Sequence, residues 1–358
     1  MKFREFLKRK NIVISAKKYG IDAMGAMAQG LFASLLIGTI LKTIGQQFGI
    51  SVLETVGDFA ANTKEHPEVQ GAAMAVAIGY ALECPPLVLF SLVTAGAAAN
   101  ILGGAGGPLA VFFVAVIASE FGKAVSKETK IDILVTPAVT VTVGVLLSLA
   151  CGPWLGKAAS VVGGAIMWAT VQRPFIMGIL VSVIVGIALT LPISSAAICA
   201  ALGITGLAGG AALAGCCAQM IGFAAMSFKE NGWGGFFAQG IGTSMLQMGN
   251  IVRNPKIWIP PIIASAITGP VATCIFRLNM NGAAVSSGMG TCGLVGQIGV
   301  YTGWLSDIEK GIMTSVSAFD WLGLLLISFV LPAVLTVLIS IPLRKWGWIK
   351  ENDLKLDI

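Results

Sequence analysis

The chain has 358 residues, of which 56% are hydrophobic and 11% charged, with a formal net charge of +6 and a mean hydropathy of +0.87. So little charge cannot cover a water-facing surface of this size, which excludes a soluble globular protein. Apolar runs recur along the whole length and point to an all-α polytopic membrane protein.

The chain opens on "MKFREFLKRKNIVISAKK", with seven Lys or Arg against Glu5 alone. Residues 1–20 are read as a basic cytoplasmic segment under the positive-inside rule, in preference to a nucleic-acid-binding arm. The same stretch also suits an amphipathic helix lying along the inner leaflet. The apolar run that starts near Ile21 has no small-residue cleavage site and reads as a first membrane helix. A spanning helix needs about 20 apolar residues, and the clean candidates are roughly 21–45, 108–126, 132–151, 174–192, 257–276 and 321–343. Residues 21–345 form the membrane domain. Arg344 and Lys345 close it, and 346–358 is a second cytoplasmic tail, so the number of full crossings is even.

Broken apolar stretches lie between the clean spans. Residues 71–108 carry "ECPP" and a glycine cluster after Asn100; residues 191–228 are punctuated by glycine; residues 279–303 are rich in glycine and small residues. Glycine totals 45, well above the usual share of about 7%. Most of it suits close helix packing, and the clusters beside Asn, Ser and Gln suit broken helices or re-entrant hairpins. "FGKAVSKETKIDI" (121–133) and "MGNIVRNPKIWI" (248–259) echo each other faintly, an internal repeat or a chance likeness of small residues.

Polar groups at membrane depth are expensive and line cavities or find partners. Helical spacing sets Thr243, Gln247, Asn250 and Asn254 on one face, in steps of four, three and four. Such a stripe of amides and a hydroxyl both donates and accepts, and suits an uncharged, hydroxyl-rich solute at a broken helix. Asn281, in the glycine-rich segment, is expected to face the stripe. Glu83, beside a proline break, is either a further contact or an interfacial residue at a helix end. Glu120 and Lys123 are three apart and suit a local ion pair, with Glu120 also open as a solute-contacting or ion-coupling carboxylate; Lys127, Glu128, Lys130 and Asp132 read as solvated loop charge. Trp233 and Trp258 read as interfacial anchors or as faces for a sugar ring. The seven cysteines show no CxxC spacing and His66 stands without a partner set, so no metal and no cofactor is expected. No Walker loop, HExxH or Ser-His-Asp pattern is present, so the chain is not expected to be an enzyme in itself.

"GIGTSMLQMGNIVRNPKIWIPPIIASAITGP" (240–270) and "NGAAVSSGMGTCGLVGQIG" (281–299) resemble the type-2 IIC membrane subunit of the phosphoenolpyruvate-dependent sugar phosphotransferase system. The nearest subgroup is the stand-alone one that includes perfringolysin-regulator-like proteins. The resemblance covers about residues 10 to 345. It implies a homodimer in the bacterial cytoplasmic (inner) membrane, with about ten membrane segments. A transport domain would carry a sugar or polyol by an alternating-access shift, and a separate IIB protein would be a partner. Better-known members carry a Gly-Ile-Thr-Glu motif; here "GITG" (203–206) ends in Gly206 and "GIGT" (240–243) in Thr243, so neither holds the carboxylate. The tails are too short for a phosphate-carrying IIA or IIB domain. Two other readings stay open: a membrane-embedded ligand sensor, and an ion-coupled transporter of another metabolite.

Overall fold

Backbone polar groups inside a bilayer must be satisfied within the chain, so apolar runs fold as helices. The computed structural model describes residues 2–15, 17–61 and 67–356, among which there is no strand, only an isolated bridge between Gly206 and Met280. His66 lies outside the described residues. Among the described residues, six stretches are long and apolar enough to cross a membrane: Lys18–Gln46, Pro86–Val125, Asp132–Thr170, Gly206–Met226, Pro255–Ile275 and Ala318–Lys345. Pro174–Thr190 is a shorter apolar helix. The chain divides into two compact units, Met1–Ala158 and Ala159–Ile358.

The first unit contains α1 (Lys2–Arg9), α2 (Ala23–Leu31), α3 (Ile37–Phe48), α4 (Ser51–Ala61), α5 (Pro67–Ala81), α6 (Pro86–Gly103), α7 (Gly107–Val125) and the first part of α8 (Asp132–Thr170). Helices α5, α6 and α7 pack on one another, and α2 packs on α5. Pro86 starts α6, where its missing N–H breaks no helical bond. The long apolar run from Pro86 is divided at Gly104, whose φ of +50° turns the chain into α7. Helix α8 extends well past the expected 132–151. Its 39 residues at about 1.5 Å each exceed what a hydrocarbon core of about 30 Å requires.

Lys123 makes the expected local ion pair with Glu120, but it is buried and reaches two further partners. Its side chain is 1% exposed, lies 2.9 Å from Glu120, and donates to the carbonyl oxygens of Asn11 at 3.1 Å and Leu82 at 3.2 Å. One ammonium thus ties the N-terminal segment and the end of α5 to α7. Arg9 and Lys10 both pair with Glu128; the Lys10 ammonium foremost, then Arg9, holds that carboxyl below its ordinary range.

The second unit continues from α8 with α9 (Pro174–Thr190), α10 (Ser195–Leu202), α11 (Gly206–Met226), α12 (Phe228–Phe237), α13 (Met248–Arg253), α14 (Ile259–Pro270), α15 (Ala284–Ser287), α16 (Val295–Glu309), α17 (Ala318–Leu325) and α18 (Leu331–Lys345). Its centre is a block of α9, α11 and α14, with α18 against α11 and α14. Glycine lets these backbones touch: a Cβ on Gly215 would stand 1.9 Å from the Ser182 carbonyl oxygen, and one on Gly269 2.0 Å from that of Gly178.

Two outcomes follow from this packing. Gly215→Val should abolish recovery of monodisperse protein on size-exclusion chromatography, because the clash is with backbone. Lys123→Met should strand Glu120 and two carbonyls and lower unfolding stability by about 3–5 kcal/mol, read by chemical denaturation.

Candidate functional site

The polar stretch at 239–258 is not one continuous helix. A wide turn over Ala238–Gly242 leads to Thr243, whose backbone is extended (φ −158°, ψ 140°). A tight turn over Ser244–Gln247 and the short α13 follow, and the chain then leaves helical geometry again at Asn254 (φ −139°, ψ 92°). Pro255 explains the second break, because it disfavours helical backbone at the residue before it. Both break residues cap the turn that follows: Thr243 Oγ1 accepts from Met245 N–H at 3.1 Å, and Asn254 Oδ1 from Lys256 N–H at 3.2 Å.

Gln247, Asn250 and Asn254 come together, and what they face is the chain's own segment 346–356. Gln247 is fully buried; its amide nitrogen donates to Gln239 Oε1 and to the Leu354 carbonyl, both at 2.9 Å. Asn250 donates to Gln247 Oε1 at 2.8 Å and to the Lys355 carbonyl at 2.9 Å. Asn254 donates to the Trp348 carbonyl and to Asp353 Oδ2, each at 2.8 Å. Asn231 holds the segment from the other side, donating to Leu354 O and accepting from Leu356 N–H at 2.8 Å each. Ile349, Leu354 and Leu356 are buried, while Lys355 points out. The Lys256 ammonium lies 5.1 Å from the centre of the Trp348 ring. This segment is therefore docked through apolar anchors and backbone carbonyls. Gln239 and Asn231 escaped the sequence reading; the alternation of polar residues with Leu354 and Leu356 was the available signal for the docking.

The other expected contacts lie elsewhere. Thr243 is buried, but its hydroxyl is occupied as a cap. Asn281 follows Met280, which pairs with Gly206 at the start of α11, and it donates to Asp307 Oδ2 at 2.6 Å. It thus sits at the opposite end of α11 from the docked segment, whose flank is tied to Met226 by Arg344. That helix has 21 residues, or about 30 Å. Glu83 belongs to the first unit. It is 70% exposed, follows α5 with φ +57°, accepts from Asn11, and has Lys18 at 3.9 Å.

A second polar group lies within the block. The Trp258 indole N–H donates to Gln219 Oε1 at 2.8 Å, Thr190 lies 3.3 Å from the same oxygen, and Thr190 and Ser244 hydroxyls are 2.8 Å apart. Gln219 also reaches Ser265 at 3.4 Å. Trp258, expected as an interfacial anchor or as a face for a sugar ring, donates its indole N–H to a buried glutamine. The lone Gln219 in "GCCAQMIGF" was the sequence signal for this group. Both sets offer neutral donors and acceptors, the chemistry of hydroxyl recognition. Among the described residues, no cluster of three or more His, Cys, Asp or Glu side chains could hold a metal ion.

Residues 21–356 match the family described as "Phosphotransferase system, EIIC". The chain belongs to that family. No similar curated protein and no similar solved structure was found. Membership makes this EIIC protein a membrane sugar permease of the phosphotransferase system.

In this EIIC chain, Asn250→Ala should loosen the docked segment by about 1–3 kcal/mol, the usual effect of leaving buried hydrogen-bonding groups unpaired. The check is tryptic cleavage after Lys350 under native conditions, which should be several-fold faster than in wild type.

Proposed function

We propose that this EIIC protein moves a sugar or polyol across a bacterial cytoplasmic membrane by alternating access, with the second unit as part of the moving body. The family match over residues 21–356 carries this reading. It is supported at the site by the amides of Gln247 and Asn250, each of which presents a donor to a carbonyl oxygen at 2.9 Å. Those oxygens stand where the hydroxyl oxygens of a solute would stand. Gln247, Asn250 and Asn254, beside Thr243, are the proposed contact set, and the solute takes the place of the segment's carbonyls. In this reading the protein works as a homodimer with both termini cytoplasmic. It has about ten membrane segments, with the short α10 and α15 as re-entrant hairpins. A separate IIB protein supplies phosphoryl transfer.

The docked segment also favours a second reading, a membrane-embedded sensor of the stand-alone subgroup. A solute that displaces Leu354 and Lys355 would free a cytoplasmic segment for a partner without any need for transport.

The test is a thermal-shift screen of the full chain against sugars, polyols and their phosphates. Binding to the folded state raises stability by mass action, by about 2.7 kcal/mol at a hundredfold excess over Kd. Leu354→Ser and Asn250→Ala both loosen the segment, but only the first keeps the donor. Leu354→Ser should therefore bind the same sugar several-fold more tightly than wild type, and Asn250→Ala at least tenfold more weakly. Equal affinity in all three would remove the amides from the solute site, and no carbohydrate response would overturn the sugar reading. A response without uptake in proteoliposomes supplied with a IIB protein would favour the sensor.

A further inference from the structure

The helix block of the second unit has a second polar end, remote from the docked segment. A pocket of about 630 Å³ opens there, lined by Arg173, Phe175, Leu207, Thr273, Arg277 and Asn279, together with Pro174 and Cys274. It gathers the start of α9, the start of α11 and the chain just after α14. Thr273 Oγ1 donates to the Pro174 carbonyl at 2.8 Å and ties two of these walls together.

Charge sets this pocket apart. It holds two guanidiniums, and none of its lining residues is acidic. Among the described residues neither Arg173 nor Arg277 forms an ion pair, whereas Arg9, Lys10, Lys123 and Arg344 each face a carboxylate. The first unit's cleft of Arg9, Lys10, Lys123 and Lys127 has Glu83 and Glu128 in its lining, and Arg9 and Lys10 both pair with Glu128 there. The Arg173 and Arg277 pocket has no carboxylate in its lining.

Two backbone features add to the same sign. Helix α9 has 17 residues and begins at Pro174, with no side chain capping its first turn, so its positive end lies at the pocket. Arg277 has φ +45°, a left-handed conformation that is unfavourable for a residue with a Cβ. It is held there by Leu278 N–H to Ala272 O and by the paired Gly206 and Met280 backbones, all at 2.9 Å. This fixes where the Arg277 side chain leaves the backbone. Both arginines and Asn279 are exposed, so their donors are available. A planar guanidinium offers paired donors that match oxyanion geometry, and two of them exceed what a neutral sugar hydroxyl needs.

We propose that this pocket is an oxyanion site that takes a phosphate group between the guanidiniums of Arg173 and Arg277, with Asn279 and Thr273 at its edge. The phosphate comes either from a small solute or from a lipid headgroup, since the pocket lies at an end of a membrane helix block. The proposal does not depend on the amide set or on the identity of the sugar.

The experiment uses the full chain in a phosphate-free polyoxyethylene detergent. Inorganic phosphate is titrated by calorimetry in one arm, and phosphatidylglycerol is added and retained lipid counted by native mass spectrometry in the other. Saturable binding is expected in at least one arm, at least tenfold weaker in Arg173→Gln and in Arg277→Gln, and lost in the double variant. Phosphate binding identifies a solute site; retained lipid with no phosphate binding identifies a headgroup site. Both side chains are exposed, so the variants should elute and melt as wild type does. Should one misfold, Arg→Lys at the same position keeps the charge and removes the fork, and is expected to weaken binding several-fold. Wild type that binds neither probe, or folded variants that bind as tightly as wild type, would overturn the proposal.

Discussion

Contact between backbones is the constraint on which the second unit depends. Ser182 and Gly215, and Gly178 and Gly269, bring α9, α11 and α14 so close that no side chain fits between them at those levels. In lipid the hydrophobic effect does not hold helices together, so close packing and interhelical hydrogen bonds must do it. Ser182 shows both at once: its carbonyl meets Gly215, and its hydroxyl donates to the Ser265 carbonyl at 2.7 Å on α14. A block so joined is one packed body, and its two ends hold different chemistry, amides at one and guanidiniums at the other.

The amide end also shows how buried polar groups in a membrane protein are satisfied from within the chain. Unpartnered buried amides are costly. Here the donors of Gln247 and Asn250 are met by main-chain carbonyls of a segment more than a hundred residues away. Those carbonyls arrive on a strip whose leucines supply the apolar contact. Any solute at this end therefore competes with an existing set of bonds, and its affinity is the difference between two satisfied states.

Much of this was legible in the sequence, for reasons that can be named. The apolar runs gave the helical class and most of the spans, since length and hydropathy act locally. The spacing of Gln247, Asn250 and Asn254 marked them as one group, and the structure does bring them together. The partner was not legible, because "ENDLKLDI" reads as a solvated tail unless the alternation of its leucines is weighed. The three-residue spacing of Glu120 and Lys123 predicts the local ion pair that the structure shows, but not the burial of Lys123 or its bonds to the Asn11 and Leu82 carbonyls, which come from distant segments. Asn281 was placed opposite the amides on composition alone, while the bridge between Gly206 and Met280 puts it at the other end of α11. Arg173 and Arg277 are about a hundred residues apart, and nothing local announces that they share a pocket.

The distance along the chain between the amides and the segment they hold has a consequence for biogenesis. Gln247 and Asn250 are synthesised about a hundred residues ahead of Leu354 and Lys355, whose carbonyls they hold. At about 5–20 residues per second, that is a wait of roughly 5–20 s during synthesis. Throughout it, those buried donors need water or the insertion machinery as a temporary partner. The second unit is therefore completed late, and a nascent chain stalled before residue 346 would present an unfinished polar notch to quality control.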